Sequence, residues 1–479
     1  MIKIEAEDAI SEFRDIDTLP GPRGLPLLGN ALQVHAPSFH RQLESWSTQF
    51  GPFFKVRLGG ATLLVVADHS AISTMLRNRP DGFRRTTQLQ QIASEMGLAK
   101  GIFVAEGDDW RRQRLMVMAG FDPRHVKRYF ASMQQVSARL LARWRKAASA
   151  GTQIDLQADL MRYTVDTIAG LAFGTEVNTL ESDDDVIQRH LDVIFPSLWK
   201  RLLAPIPTWR IVRTPADRRL ERHIAEVDRA IAGFIAKARA RMEQDPALRD
   251  SPVNLLEAMI VAADRDNSGI DDSHVKGNVL TMLLAGEDTT ANTIAWMMYL
   301  VCGNPRVFAR ARDEIRDVAA GGVEATPEQL GELPYIEACI HETMRLKPVA
   351  PIIFHQAVHD TSLGDIRVPA GMTVVTLMRK DSLDPKLVPD AGTFEPERWL
   401  GGANPSKRTS MPFGAGGRIC PGRYLAMLEM KMAMAVMLCH FDVESVGTAD
   451  GSEAEEHLAF TMGPAGLQMR LRERGATGR

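Results

Sequence analysis

"PFGAGGRICPG", residues 412–422, places four glycines, one arginine and one cysteine in a single short stretch. Two readings are open. One is a Gly-rich surface loop that contains a cysteine. The other is a backbone bent closely around a flat, bulky group, with the thiolate as its ligand. Glycines at 414, 416, 417 and 422 permit positive φ and close approach. Cys420 is followed by Pro421-Gly422 and then by a helical pattern, so its sulfur should lie near a helix N-terminus, where the dipole favours the thiolate. Arg418, two residues earlier, is placed to pair with a carboxylate of a bound group.

Outward from this loop the chain alternates in character. Residues 425–440 read as a Met-rich helix. "TSLGDIRVPAGMTVVTL" (361–377) has strand and turn character, and "FFKVRLGGATLLVVAD" (53–68) reads as a hairpin about Gly59-Gly60. Residues 19–30 form a Pro/Gly-rich entry. From about 109 to 300 the pattern is mostly helical, as in 220–244. Residues 278–301 are long and apolar, but "AGEDTT" (285–290) interrupts them with two acids and two threonines. That predicts a buried helix across a large domain rather than a membrane span. With no internal repeat and no linker, the expected architecture is one large, mainly helical unit with a small β part.

The chain has 479 residues, with 57 basic against 60 acidic side chains and a net charge of −3. No long basic block stands out, which argues against nucleic acid as a partner. Cysteines 302, 339, 420 and 439 form no C-x-x-C pair and no disulfide framework. A reducing cytoplasm is expected. Residues 1–19 are polar and acid-rich, so neither a signal peptide nor a transmembrane anchor is expected.

Three further motifs carry chemistry. In "AGEDTT", Thr289 can bond the Ala285 carbonyl and open the helix locally, and Gly286 leaves space beside it. An acid and a hydroxyl in such a groove suit O2 binding and proton delivery; the alternative is that they satisfy each other on a kinked helix. Glu342 and Arg345 share a helix face, with Arg398 downstream in "FEPERWL". Alone, such a pair is usually solvated. In "DDWRRQR" (108–114), Trp110 and Arg114 also share a face, either toward a ligand or as an amphipathic surface helix with a packed Trp.

The spacing Phe413-x-x-Gly416-x-Arg418-x-Cys420-x-Gly422 resembles the haem-binding loop of the cytochrome P-450 superfamily. The other three motifs occur in that family's order. The resemblance, to the soluble bacterial type, runs from about Leu19 to near the C-terminus. It implies a mainly α fold with a small β region: one large helical domain, a smaller β-rich lobe and a buried haem. Residues 19–479 would be a single catalytic domain, with 1–18 a polar extension. Haem b would be held by Cys420 as iron ligand and by Phe413, Gly414, Arg418, Gly422 and Ala285. Trp110 and Arg114 would meet one propionate. The family often places an arginine on the other propionate, and His355 stands there instead. Asp288 would relay protons, Thr289 would hydrogen-bond the reduced dioxygen and a water, and Glu342, Arg345 and Arg398 would form a buried structural triad.

The implied substrate pocket draws on residues 84–103, 194–209, 284–289, 349–354 and 460–464. Its named aliphatic members are Ile92, Ile194, Leu198, Leu284, Ile352, Ile353 and Met462. An apolar substrate is expected, such as a fatty acid, terpenoid or steroid, hydroxylated or epoxidised with one atom of O2. Arg84 or Arg85 could pair with a substrate carboxylate, and 195–209 reads as a lid. Electrons would come from a separate ferredoxin and its NAD(P)H-dependent reductase, docking near Arg418, Arg423 and Lys431. A cytoplasmic monomer is expected. Two alternatives remain at this point. One is a peroxide-using or rearranging haem-thiolate enzyme, against which the intact Asp288-Thr289 pair stands. The other is a non-catalytic haem sensor or ligand-binding protein, which would need an output module.

Overall fold

The computed structural model describes residues 13–121, 127, 129–174, 177–181, 186–204, 206–402 and 405–475. Its axis is the helix Asp272–Cys302. Asp271 caps it, accepting from the backbone of Ser273 and His274. Apolar residues surround this helix instead of forming one stripe, because neighbours cover it on several sides. Leu156–Phe173, Pro215–Gln244, Pro334–Leu346 and Arg423–His440 all pack on it. The helix Pro215–Gln244 shows the opposite pattern. Leu220, Ile224, Val227, Ile231, Phe234, Ala238 and Met242 form a single buried face, and a Thr214/Asp217 capping box with Pro215 starts it. It packs on the helix Val186–Leu203.

The β part is small. Strands Phe53–Leu58 and Ala61–Val66 form the expected hairpin, with Phe53 opposite Val66. Thr373–Leu377 adds parallel to the second strand, then Ile352–Ala357 and Phe83–Arg84 follow antiparallel. Leu64, Val66, Ile72, Met75, Phe83, Ile366 and Val374 give this lobe a core of its own. A second sheet joins Ile154–Asp155, Leu467–Glu473 and Phe441–Thr448. Mainly helical architecture with a small β lobe is therefore what the structure shows.

Of the polar extension, residues 1–12 lie outside the described residues. The described part rests on the β lobe: Arg14 pairs with Asp365 at 2.7 Å and Ile16 is buried. Among the described residues, no helix is long and apolar enough to cross a membrane.

Glu342 and Arg345 form a buried hub. Arg345 grips both carboxylate oxygens of Glu342 at 2.7 and 2.8 Å. Its other nitrogen donates to the Ser382 and Ala391 carbonyls, at 2.7 Å each. Arg398 (3.2 Å), the Trp399 indole (2.8 Å) and the Glu395 backbone N–H (3.0 Å) also donate to Glu342. The hub fastens the helix Pro334–Leu346 to the irregular segment 382–399.

Candidate active site

The cysteine loop is closed by its backbone. Cys420 N donates to Phe413 O at 2.9 Å. Gly414 and Gly416 take φ of 73° and 69°, a region that side chains strain. A Cβ at Gly416 would lie 2.7 Å from Arg77 Cα and from Leu76 O, so the loop seats directly on the end of the helix His69–Arg77. The helix Arg423–His440 starts just beyond the cysteine, with Gly422 as its N-cap. Burial raises the Cys420 thiol, while backbone donors at Gly422 and Arg423 and the charges of Arg114 and Arg423 act the other way. These groups favour a thiolate once a metal ion takes the sulfur.

Beside the loop is a cluster that the sequence reading foresaw only in part. Trp110, on the helix Gly107–Gly120, is buried, and the Arg418 guanidinium lies over its ring at 4.6 Å. Arg418 also pairs with Glu106 and donates to Ala105 O at 2.8 Å. Arg79 and Arg85 join it, and His355 on the strand Ile352–Ala357 is fully buried against them. Burial, then repulsion from Arg85 and Arg418, pushes the Arg79 guanidinium down to about 8. Burial, then Arg418, takes Arg85 to about 10, and burial alone leads the fall of Arg418 to about 10. Burial, then the three arginines, drives His355 well below its usual range, so it is neutral.

Among the described residues, both His355 ring nitrogens and side-chain nitrogens of Arg79, Arg85 and Arg418 are buried without a partner. Three guanidinium groups facing the single Glu106 carboxylate leave a surplus that two propionates would neutralise. Orphaned donors of this kind mark a missing anion. The cysteine loop and the arginine cluster therefore fit haem.

Arg79 and Glu106 were missed in the sequence because neither belongs to a motif with its own spacing. Arg85, one of two arginines open to pairing with a substrate carboxylate, lies 4.2 Å over the Phe103 ring and within the arginine cluster. Arg84 is held by Gln356 at 3.2 Å. Arg418 and Lys431 were also expected on a docking surface. The structure corrects both: their side chains are 6% and 5% exposed, committed to Glu106 and to Glu337. Arg423 is exposed, as a docking residue requires.

On the central helix, Thr289 Oγ1 donates to Ala285 O at 2.6 Å, the bond expected from "AGEDTT". Ala285 is exposed within the fold. Asp288 does not pair with Thr289; it accepts from Thr461 at 3.2 Å. Burial, then the charge of Asp192, raises Asp288 to about 6. The turn 459–461 also presents Phe460 at φ 93°. Its ring stacks on Phe195 at 4.8 Å and meets Phe103 edge-on at 5.9 Å, while Trp199 meets Phe354 at 6.2 Å. These aromatics join four of the five stretches expected to line a pocket. Ile92, Ile194, Leu198, Leu284, Ile352 and Met462 are buried in the main core, and Ile353 is half-buried. None of them lines the cavity of about 260 Å³ beside Asp288.

The profile of the family described as cytochrome P-450 matches residues 19–471. The chain is 28% identical over 467 residues to the human mitochondrial 25-hydroxyvitamin D-1 alpha hydroxylase, covering 91% of this chain and 88% of that protein. It is 28% identical over 475 residues to a self-sufficient cytochrome P-450 monooxygenase of Penicillium freii, covering 96% of this chain but 43% of that protein. It is 24% identical over 431 residues to the chloroplastic protein LUTEIN DEFICIENT 5 of Arabidopsis thaliana, covering 87% of this chain and 71% of that protein. With its haem b site and its similarity to named monooxygenases, the chain belongs to the cytochrome P-450 family of oxidoreductases.

Proposed function

We propose that the protein hydroxylates or epoxidises an apolar small molecule of the fatty acid, terpenoid or steroid class, with Cys420 as iron ligand. One observation carries the reading: the cysteine loop lies beside a buried arginine cluster with two positive charges to spare, and the helix carrying Asp288 and Thr289 crosses the same domain. Bound there, haem would supply the family's chemistry, in which substrate, O2, two electrons and two protons give an oxygenated product and water. Cys420 would hold the iron, with the backbone N–H groups of Gly422 and Arg423 directed at its sulfur. Arg79, Arg85, Arg418 and His355 take the propionates, with Trp110 stacked beneath Arg418 and Arg114 near the sulfur. Thr289 keeps a hydroxyl on the central helix, and Asp288 holds or gives a proton at its carboxyl.

Phe103, Phe195, Phe354 and Phe460 support an apolar substrate, because they surround the approach with aromatic faces and exclude water. The segment 195–209 acts as a lid, carried by the helix Val186–Leu203 that leads into it, with Phe195 and Trp199 packed against Phe460 and Phe354. Electrons come from a separate carrier of the ferredoxin type, docking beside Arg423; the fungal relatives named self-sufficient or bifunctional make a fused reductase the competing arrangement. The deciding experiment is the absorption spectrum of the dithionite-reduced, CO-bound protein. A strongly red-shifted Soret band that disappears in Cys420→Ala is expected. A histidine-type band in the wild type would overturn the assignment. Apolar compounds are then screened by spin-state shift.

A further inference from the structure

The cavity beside Asp288 has a mainly apolar wall that carries a set of polar side chains. Gln157, Asp192, Asp288, Asn292, His457 and Thr461 line it together with apolar residues from the lid and the C-terminal turn. At about 260 Å³ it has room for several waters. Asp192 is exposed and belongs to the lid helix Val186–Leu203; Asp288 is half-buried and belongs to the central helix. The Thr461 hydroxyl holds one Asp288 oxygen at 3.2 Å, which fixes the carboxyl toward the cavity. Among the described residues lining the cavity, the titratable groups are Asp192, Asp288 and His457. Two carboxylates lining one cavity do not ionise independently. Burial, followed by the charge of Asp192, raises Asp288 to about 6, in agreement with that geometry.

We propose that Asp192 is a positioning residue for proton entry: from the lid helix, its negative charge across the shared cavity drives Asp288 to take up a proton from cavity water. The inference rests on the proton-relay role proposed for Asp288. In the step, an O–H bond forms on the Asp288 carboxylate as one breaks on the water. Bulk solvent replaces the proton lost by the cavity. Asp288 later gives its proton inward and returns to the carboxylate; no electrons move. Since Asp192 rides on the helix that carries the lid, outward lid motion separates the two carboxylates and weakens the drive. Proton uptake is thereby tied to a closed lid.

The test uses the haem-loaded enzyme and its Asp192→Asn, Asp192→Ala and Asp192→Glu variants. The protonated Asp288 carboxyl is followed by difference infrared spectroscopy, its band assigned by loss in Asp288→Asn. Asp192→Asn and Asp192→Ala should lower the midpoint of that band by roughly one pH unit, and Asp192→Glu should restore it. A His457→Gln variant checks that the histidine is not the source. An unchanged midpoint in both neutral variants overturns the proposal. Failure of the relay reading has a different signature: Asp288→Asn would then leave the solvent isotope effect and the peroxide yield unchanged, whatever the infrared titration shows.

Discussion

Arg418 lies over the Trp110 ring, 4.6 Å from its centroid, while its guanidinium is paired with Glu106. The cysteine loop is thus fastened to the helix Gly107–Gly120 by the same arginine that faces the propionate site. Replacing Trp110 by Ala removes a cation–π contact of about 0.5–2 kcal/mol and a buried aromatic whose truncation costs about 3–5 kcal/mol. Trp110→Ala should lose haem on dilution while Trp110→Phe keeps most of it. The ratio of haem to protein after gel filtration measures this.

The Glu342 hub gives a prediction of stability without a change in chemistry. Arg345 and Glu342 are fully enclosed, so removing Arg345 strips the buried carboxylate of its bidentate partner and leaves it only Arg398, the Trp399 indole and the Glu395 backbone N–H. Arg345→Leu should destabilise by about 3–5 kcal/mol. Denaturant unfolding of the holoenzyme reads it directly. A loss below 1 kcal/mol would mean that the pair behaves like a surface one.

Much of this site was legible because its chemistry is local in sequence. The Cys420 loop, Thr289 above Ala285, and Glu342 with Arg345 each depend on spacings within one turn or one helix. The hairpin about Gly59-Gly60 was readable for the same reason. Arg79, Arg85 and Glu106 join Arg418 and His355 only because strand segments, a loop and a helix start converge, and no one-dimensional pattern records that; of this group the family pattern pointed to Arg418 and His355 alone. Arg418 and Lys431 looked like docking charges because sequence shows charge but not burial. The aromatic contacts of Phe460 depend on a turn with φ of 93° for a non-glycine residue, which its composition does not announce.

Glu429 predicts a pH dependence. It lies on the helix after the cysteine loop and is buried, with one carboxyl oxygen lacking a partner among the described residues. Burial raises it to about 8 from its usual 4.5. The folded protein therefore keeps a proton that the unfolded chain releases. Stability from this group is complete below pH 4.5 and declines as pH rises, levelling off above about 8. Glu429→Gln should remove up to about 1.4 kcal/mol per pH unit of that slope. Urea unfolding of wild type and variant at roughly one-unit pH steps across this window is the measurement.

Arg423 should set the rate of electron entry. It is exposed beside the start of the helix that follows Cys420, whereas Lys431 is held by Glu337 at 2.7 Å. Arg423→Glu should slow reduction by an acidic carrier and flatten its dependence on ionic strength. Lys431→Gln should change stability rather than the salt dependence. Stopped-flow reduction at several salt concentrations distinguishes these outcomes. Equal salt dependence in wild type and Arg423→Glu would move the docking site elsewhere.

Thr289 gives the sharpest prediction about chemistry. Its hydroxyl donates to the Ala285 carbonyl at 2.6 Å, and Thr293 donates in turn to the Thr289 carbonyl at 2.8 Å. These side-chain bonds add to the carbonyls of this turn while the helix continues unbroken through it. Thr289→Ala removes the hydroxyl without emptying the core, because the side chain is only half-buried. Haem binding and the reduced CO spectrum should persist. Electron consumption should continue, with more of it released as peroxide and less as oxygenated product. Thr289→Ser, which keeps a hydroxyl, should recover much of the coupling. Peroxide formed per NAD(P)H consumed separates the cases: if alanine and serine behave alike, the hydroxyl does not control the fate of the reduced oxygen, and Thr289 serves only the shape of the helix.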